Sequence, residues 1–385
     1  MSFSVCDKDL CVGCGACADA CPGEAITLSQ DSYGFLRPVI DGSKCVVCRT
    51  CRGVCPANGS HKGGASGVFA AYAKDKNVRN KSSSGGIFRL LADKTLEDGG
   101  VVAAVGYDEN FRVVYKVASS GAKLDEMMGS KYTEALPNDI YSKVRDVLDS
   151  GKKVLFVGTP CRVAALKNLT GDRENLLTVD FLCHGVPSGL LFEKFIDENF
   201  KKRDITDVSF RDKTHGWQEF SMRVDLSVGK PYVCSQYKDP YLRMFLGNRF
   251  LRESCYNCKF KRDGYVSDVT LGDFWGISSC IPSMNDDKGT SAVVVRTEKG
   301  SAAFDGIKDL IVYRETTEST LGKANAALNN SSKKPEGRDA ALEMLKNGNS
   351  FSDIAGKYGR PASAKAVLTE RAKRGVKVML GKIKK

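Results

Sequence analysis

The stretch CVGCGACADACP at residues 11–22 returns as CVVCRTCRGVCP at residues 45–56, and this doubled comb of cysteines constrains the chain more than any other feature. Each copy reads C-x2-C-x2-C-x3-C-P, so Cys11, Cys14, Cys17 and Cys21 recur at a constant offset as Cys45, Cys48, Cys51 and Cys55. Three thiolates at three-residue intervals wrap one face of a cubane, and the fourth, before a proline that turns the chain away, reaches the neighbouring cubane. The spacing therefore predicts two 4Fe-4S clusters, one held by Cys11, Cys14, Cys17 and Cys55, the other by Cys45, Cys48, Cys51 and Cys21. Structural zinc sites use two separated pairs of ligands instead. Disulfides call for an oxidising compartment, and no secretory signal precedes the combs.

Residues 1–60 resemble the two-cluster bacterial ferredoxins. The remainder of the 385 residues is enough for one or two further domains, and 42% hydrophobic content fills ordinary cores. No apolar run approaches the roughly 20 residues that cross a bilayer. With MSFSVCDKDL at the N-terminus lacking an apolar stretch, the expected location is cytoplasmic, where thiols stay reduced. The net charge of +12 invites a nucleic-acid reading, but residues 361–385 alone hold eight Lys or Arg against one Glu, and the body is only mildly basic. No nucleic-acid partner is expected. Val367, Leu368, Val376, Met379, Leu380 and Ile383 interrupt the charges as in a basic amphipathic helix. Packing of that helix on its own domain is the favoured reading, with peripheral membrane contact as the alternative.

NGSHKGGASG at 58–67 is a glycine-rich break. After it, VFAAYA (68–73), VVAAVGY (101–107), FRVVYKVA (111–118), KVLFVG (153–158) and LLTVDFLC (176–183) read as strands, and IFRLLADKTLEDGG reads as a helix after the polar turn NVRNKSSSGG. CRVAALKNL is a short helix between two strands, which implies parallel pairing. VSFRDKTHGWQEFSMRVDLSVG reads as an antiparallel ribbon, and KKPEGRDAALEMLKNG and FSDIAGKYG as two late helices.

Seven cysteines lie outside the combs. Cys161 follows the strand KVLFVG and Cys183 ends LLTVDFLC; in an open parallel sheet such strand ends face the ligand crevice. Cys255 and Cys258 form a C-x2-C pair in SCYNCKF. Together these four suit a third 4Fe-4S cluster or a tetrahedral zinc, and inert core thiols remain an open alternative. Cys6, Cys234 and Cys280 show no partner pattern and read as ordinary core or surface residues.

The ordered set SSSGGIF, SKY, FVGTPCRVAAL, FLCHGVPS, FRDKTHGW, SCYNCKF and LGDFWG, after a comb pair, resembles the family of coenzyme F-420 hydrogenase and dehydrogenase beta subunits, F-420 being an 8-hydroxy-5-deazaflavin. The resemblance runs from residue 6 to about residue 310. It implies FAD and a 4Fe-4S cluster on Cys161, Cys183, Cys255 and Cys258. It also points to Ser84, Gly85 and Gly86 at a helix start as flavin phosphate contacts, with Lys131 and Thr159 beside them; free helix N-terminal amides suit a phosphate, although an ordinary serine N-cap has the same sequence. No G-x-G-x-x-G fingerprint supports a nicotinamide cofactor. Where the family commonly has glutamine after GTPC this chain has Arg162, a cation beside the expected cluster. His184 and His215 are not assigned catalytic roles, and no catalytic residue is identified.

The expected architecture is a multidomain α+β and α/β chain. A ferredoxin-type two-cluster domain (1–60) precedes a mixed α/β flavin and iron-sulfur body in two parts (66–150 and 151–310) and a helical basic tail (311–385). The expected function is an oxidoreductase that couples hydride transfer at FAD, with a deazaflavin or similar donor or acceptor, to one-electron flow through the clusters toward a redox protein at the ferredoxin end. The alternatives are a ferredoxin-dependent reductase of an organic substrate, and an electron-relay subunit without flavin.

Overall fold

The structure, a computed structural model, describes residues 4–372. Its strands are β1 (Ile26–Gln30), β2 (Leu36–Ile40), β3 (Gly67–Ala73), β4 (Val101–Tyr107), β5 (Val113–Ala118), β6 (Val154–Val157), β7 (Leu176–Phe181), β8 (Ile205–Asp212), β9 (Ser221–Leu226), β10 (Tyr232–Ser235), β11 (Val269–Asp273), β12 (Ser291–Val295) and β13 (Ile311–Thr316). Eight of them form one mixed sheet in the order β13-β3-β12-β11-β7-β6-β4-β5. The centre, β11-β7-β6-β4, is parallel; the flanks pair antiparallel. Central strands covered on both faces need no polar alternation, which is why SAVVV in β12 is buried at every position. The α/β reading with antiparallel additions holds at this level.

Because β6, β7 and β11 run in one direction, their C-terminal ends share one rim. Helix Pro160–Thr170 starts there, with proline at its first turn, where a missing N–H costs nothing. The expected ribbon is a separate three-stranded sheet, β10-β9-β8. It shares a core with helices Gly189–Asn199 and Pro240–Leu246 and with the late helices Arg338–Lys346 and Phe351–Tyr358. The polar turn expected before helix Ile87–Glu97 is instead partly helical, at Lys76–Lys81. The Asp75 carboxylate accepts from the amides of Asn77 and Val78, a cap the surrounding Lys, Asn and Ser had masked.

The comb region is a short β1–β2 hairpin flanked by one-turn helices, Ala16–Asp19 and Thr50–Gly53. It does not stand apart: Cys14, Ala16 and Val54 are buried in the same cluster as Tyr115, Phe156 and Val163 of the body. Of the basic tail, residues 364–372 are helical and mostly exposed, with Arg371 paired to Glu219 at 2.6 Å. Val376, Met379, Leu380 and Ile383 lie outside the described residues. Among the described residues no helix is long and apolar enough to cross a membrane.

Candidate functional site

A cavity of about 780 Å³ opens at the C-terminal rim of the parallel strands. Its wall includes Cys161 and Cys183, as expected from their places after β6 and β7. Cys255 and Cys258 join them from a loop that is distant in sequence. Each of Cys183, Cys255 and Cys258 lies within electrostatic reach of Cys161, and Cys255 also within reach of Cys183 and Cys258. Burial pushes all four thiols up, Cys183 to about 12. Burial keeps such thiols protonated unless a cationic centre lies among them; among the described residues no three His, Cys, Asp or Glu side chains stand close enough to hold a single metal ion. The Val186 amide points at the Cys255 sulfur (3.4 Å), and Lys261 donates to the Cys183 carbonyl at 2.6 Å.

The comb thiols have neighbours from both copies. Cys14 and Cys17 lie in the field of Cys11 and of Cys55, the last cysteine of the other comb. Cys51 has Cys21, the last cysteine of the first comb, and Cys48 as its neighbours. Cys17 also feels Cys51, so the two sets adjoin. Cys6, which read as an ordinary residue, lies in hydrogen-bond reach of both Cys11 and Cys55, and sharing its proton with them favours their thiolates. Nothing in the spacing marked it.

Two buried arginines span the gap between the first comb and the rim. Arg162, in the position where glutamine was expected, donates to the carbonyls of Cys14 (3.2 Å) and Ala135 (2.5 Å) and lies within reach of both the Cys14 and Cys161 sulfurs. Arg252 donates to the carbonyls of Cys11 (3.4 Å) and Leu36 (3.1 Å), pairs with buried Glu134, and feels both Cys11 and Cys255. Sequence reasoning missed Arg252 entirely, since its partners are 118 to 241 residues away.

The serine loop only partly matches its expected role. Ser84 and Gly86 line the cavity, the Ser84 hydroxyl is buried without a partner, and helix Ile87–Glu97 starts at Gly86 without a side-chain cap. Such a helix start, with free amides and an orphan hydroxyl, is suited to a phosphate. Gly85 does not line the cavity: its amide donates to Ser291 Oγ (2.9 Å), and a Cβ there would stand 2.4 Å from the Ala71 carbonyl oxygen. Strand packing, not a ligand, explains that glycine. Lys131 lines the cavity half-buried, and desolvation brings its ammonium down to about 8. Thr159 also lines it, but its hydroxyl lies 3.1 Å from the Cys161 sulfur. His184 packs against Phe245 on the wall, with burial lowering its pKa, while His215 lies in an exposed turn.

The far wall holds residues that the sequence reading quoted in motifs but gave no role. Arg211 of FRDKTHGW is buried against Asp273 of LGDFWG (2.5 Å), donates to the Tyr132 hydroxyl (3.2 Å), and lies between the rings of Phe220 and Trp275. Its Nε has no partner. Trp217 donates to Asp273 and stacks on Trp275 at 4.9 Å. Lys213 donates to the Ser84 carbonyl (2.9 Å) and to the carbonyls of Arg79 and Lys288, which fixes the serine loop against the ribbon.

Residues 151–319 match the family model for the C terminus of the coenzyme F420 hydrogenase/dehydrogenase beta subunit, residues 68–140 match the model for its N-terminal part, and residues 10–58 match a 4Fe-4S dicluster domain. A subunit of the F(420)H(2) dehydrogenase of Methanosarcina mazei is 24% identical over 330 residues, 79% of this chain and 84% of that protein. A chain of the F420-reducing [NiFe] hydrogenase complex from Methanosarcina barkeri is 16% identical, with a TM-score of 0.47, covering 77% of this chain and 91% of the other. With both family segments in order behind the dicluster domain, the chain belongs to the family of coenzyme F420 hydrogenase and dehydrogenase beta subunits, which are oxidoreductases.

Proposed function

We propose that this chain is an iron-sulfur flavoprotein that converts hydride chemistry in the rim cavity into one-electron flow through its cysteine sets. The observation that carries the reading is the cavity itself. One end offers an uncapped helix start with the orphan Ser84 hydroxyl, and the other is walled by two of four clustered thiols. FAD in this cavity would supply two-electron acceptance with single-electron release, and 4Fe-4S clusters would each carry one electron. In this reading the chain consists of a two-cluster unit (1–60), a two-part body (66–150 and 151–310) and a helical tail (311–385).

Ser84, Gly86 and Lys131 would hold the flavin's anionic part, and Lys213 keeps the serine loop in place. Arg211, fixed by Asp273 and flanked by Trp275, presents a cation and an aromatic face to a planar, anionic hydride donor or acceptor; the relative's name makes a deazaflavin the first to test. Cys161, Cys183, Cys255 and Cys258 would hold the cluster nearest the cavity. The set of Cys11, Cys14, Cys17 and Cys55 would come next, a reading supported by Arg162 and Arg252 lying between it and the rim, and the set of Cys45, Cys48, Cys51 and Cys21 would come last, supported by the proximity of Cys17 to Cys51. The buried guanidiniums of Arg162 and Arg252 beside these thiol sets would favour the reduced, more negative form of clusters held there.

Anaerobic purification with iron and flavin counted per chain is the test. Flavin bands over broad cluster absorbance, bleached on adding reduced deazaflavin but not NADH, are expected. Iron without flavin would reassign the chain as a relay. Cys258→Ala should remove about a third of the iron and leave the comb clusters intact; an unchanged iron content would exclude Cys258 as a ligand.

A further inference from the structure

The internal duplication contains its own control. In the offset that superposes the combs, Gly13 and Gly15 fall on Val47 and Arg49. All four adopt the left-handed region, with φ of 64° and 88° in the first comb and 55° and 64° in the second. In the first comb glycine is also demanded by space: a Cβ on Gly13 would lie 2.4 Å from Nη2 of Arg252, and one on Gly15 2.7 Å from Cγ of Pro137. The second comb faces solvent. There the same backbone carries a β-branched residue and an arginine, at a strain that glycine would avoid.

What those side chains do is visible in their exposure. Val46 is 75% and Val47 56% exposed, beside Cys48, the exposed member of its comb. Lys44, Arg49 and Arg52 surround them, all exposed, where the first comb has Leu10, Gly15 and Ala18. Across residues 41–53 the only acid is Asp41, whose carboxylate accepts from the amide and hydroxyl of Ser43.

We infer that this face, an apolar centre of Val46 and Val47 ringed by Lys44, Arg49 and Arg52 over the last thiol set, is the docking site of a small one-electron carrier protein with an acidic rim. The inference rests on the proposal that this set holds a cluster. Opposite rims steer encounter and fix orientation, while a small apolar centre makes the complex short-lived, as a carrier that must leave requires. One electron passes: the donor cluster is oxidised, the acceptor is reduced, and no bond forms or breaks.

The test uses the full-length chain, anaerobic and iron-loaded, in stopped flow against a reduced two-cluster ferredoxin of net negative charge, with methyl viologen as a small cationic control. The wild-type bimolecular rate with the ferredoxin should fall steeply as salt rises. Lys44→Glu/Arg49→Glu/Arg52→Glu should lower it at least about tenfold at low salt and flatten the salt dependence, while the rate with cationic viologen should not fall. Val47→Gly copies the first comb's backbone and relieves its strain, so it should keep full iron while slowing only the ferredoxin reaction. Wild-type ferredoxin rates in both variants, or a wild-type rate that climbs with salt, would overturn the docking site. A chain that viologen cannot reduce would instead bring down the underlying electron-transfer reading, so the two failures are distinct.

Discussion

Lys131 shows how much a single side chain can report. Its ammonium is brought down to about 8 by desolvation at the cavity wall, and it donates to the carbonyls of Met128 (2.6 Å) and Gly129. A lowered lysine pKa means that the folded protein releases this proton earlier than free lysine does. A contact between this ammonium and an anionic flavin would therefore be present below about pH 8 and lost as pH rises through it. Flavin affinity, measured by titration calorimetry from about pH 7 to about pH 9.5, should be level and then fall, and Lys131→Met should bind weakly at every pH. A level wild-type profile would show that the ammonium does not touch the ligand. Ser84 and Gly86 were legible as part of a helix start because helix starts announce themselves in sequence. Gly85 was misattributed because a glycine that admits a ligand and one that admits a neighbouring strand look the same in one dimension.

At the scale of elements, helix Ile87–Glu97 and the strands behind it separate those two roles. Gly85→Ala would press a Cβ against the carbonyl of Ala71 in β3, with Ser291 of β12 also within 3 Å. A loss of about 2 kcal/mol is expected, read as a lower denaturant midpoint. Ser84→Ala removes only an orphan hydroxyl, so the midpoint should hold while flavin retention drops. If Ser84→Ala retained flavin fully, the phosphate would lie elsewhere. Strands β3 to β7 and helices Ile87–Glu97 and Pro160–Thr170 were readable from apolar runs bounded by glycine and polar turns, whereas helices Gly121–Asp125 and Ile140–Asp149 drew no reading. Helix Lys76–Lys81 was not, because a single Asp75 cap outweighed a locally polar composition.

Across the whole molecule the decisive contact is Arg252 with Glu134, both buried, joining the first comb to the body. Glu134 also accepts from the Leu36 amide (2.9 Å) at the start of β2. Arg252→Leu would leave that carboxylate buried without its cation, so a loss of about 4 kcal/mol is expected. It should appear as a lowered unfolding midpoint, with bleaching of the comb clusters trailing that of the rim cluster when reduced deazaflavin is added. Unchanged stability and simultaneous bleaching would mean that the pair neither holds nor couples the two regions. The sequence by itself determined the two combs and the arrival of Cys161 and Cys183 at strand ends, because covalent spacing and strand direction are local properties. Only the tertiary structure decided that Cys255 and Cys258 meet them, that Cys6 touches the first set, and that Arg162, Arg211 and Arg252 lie where they do. Those meetings depend on the order of strands in the sheet and on which faces find cover, and contacts between residues more than a hundred positions apart leave no periodic trace in the chain.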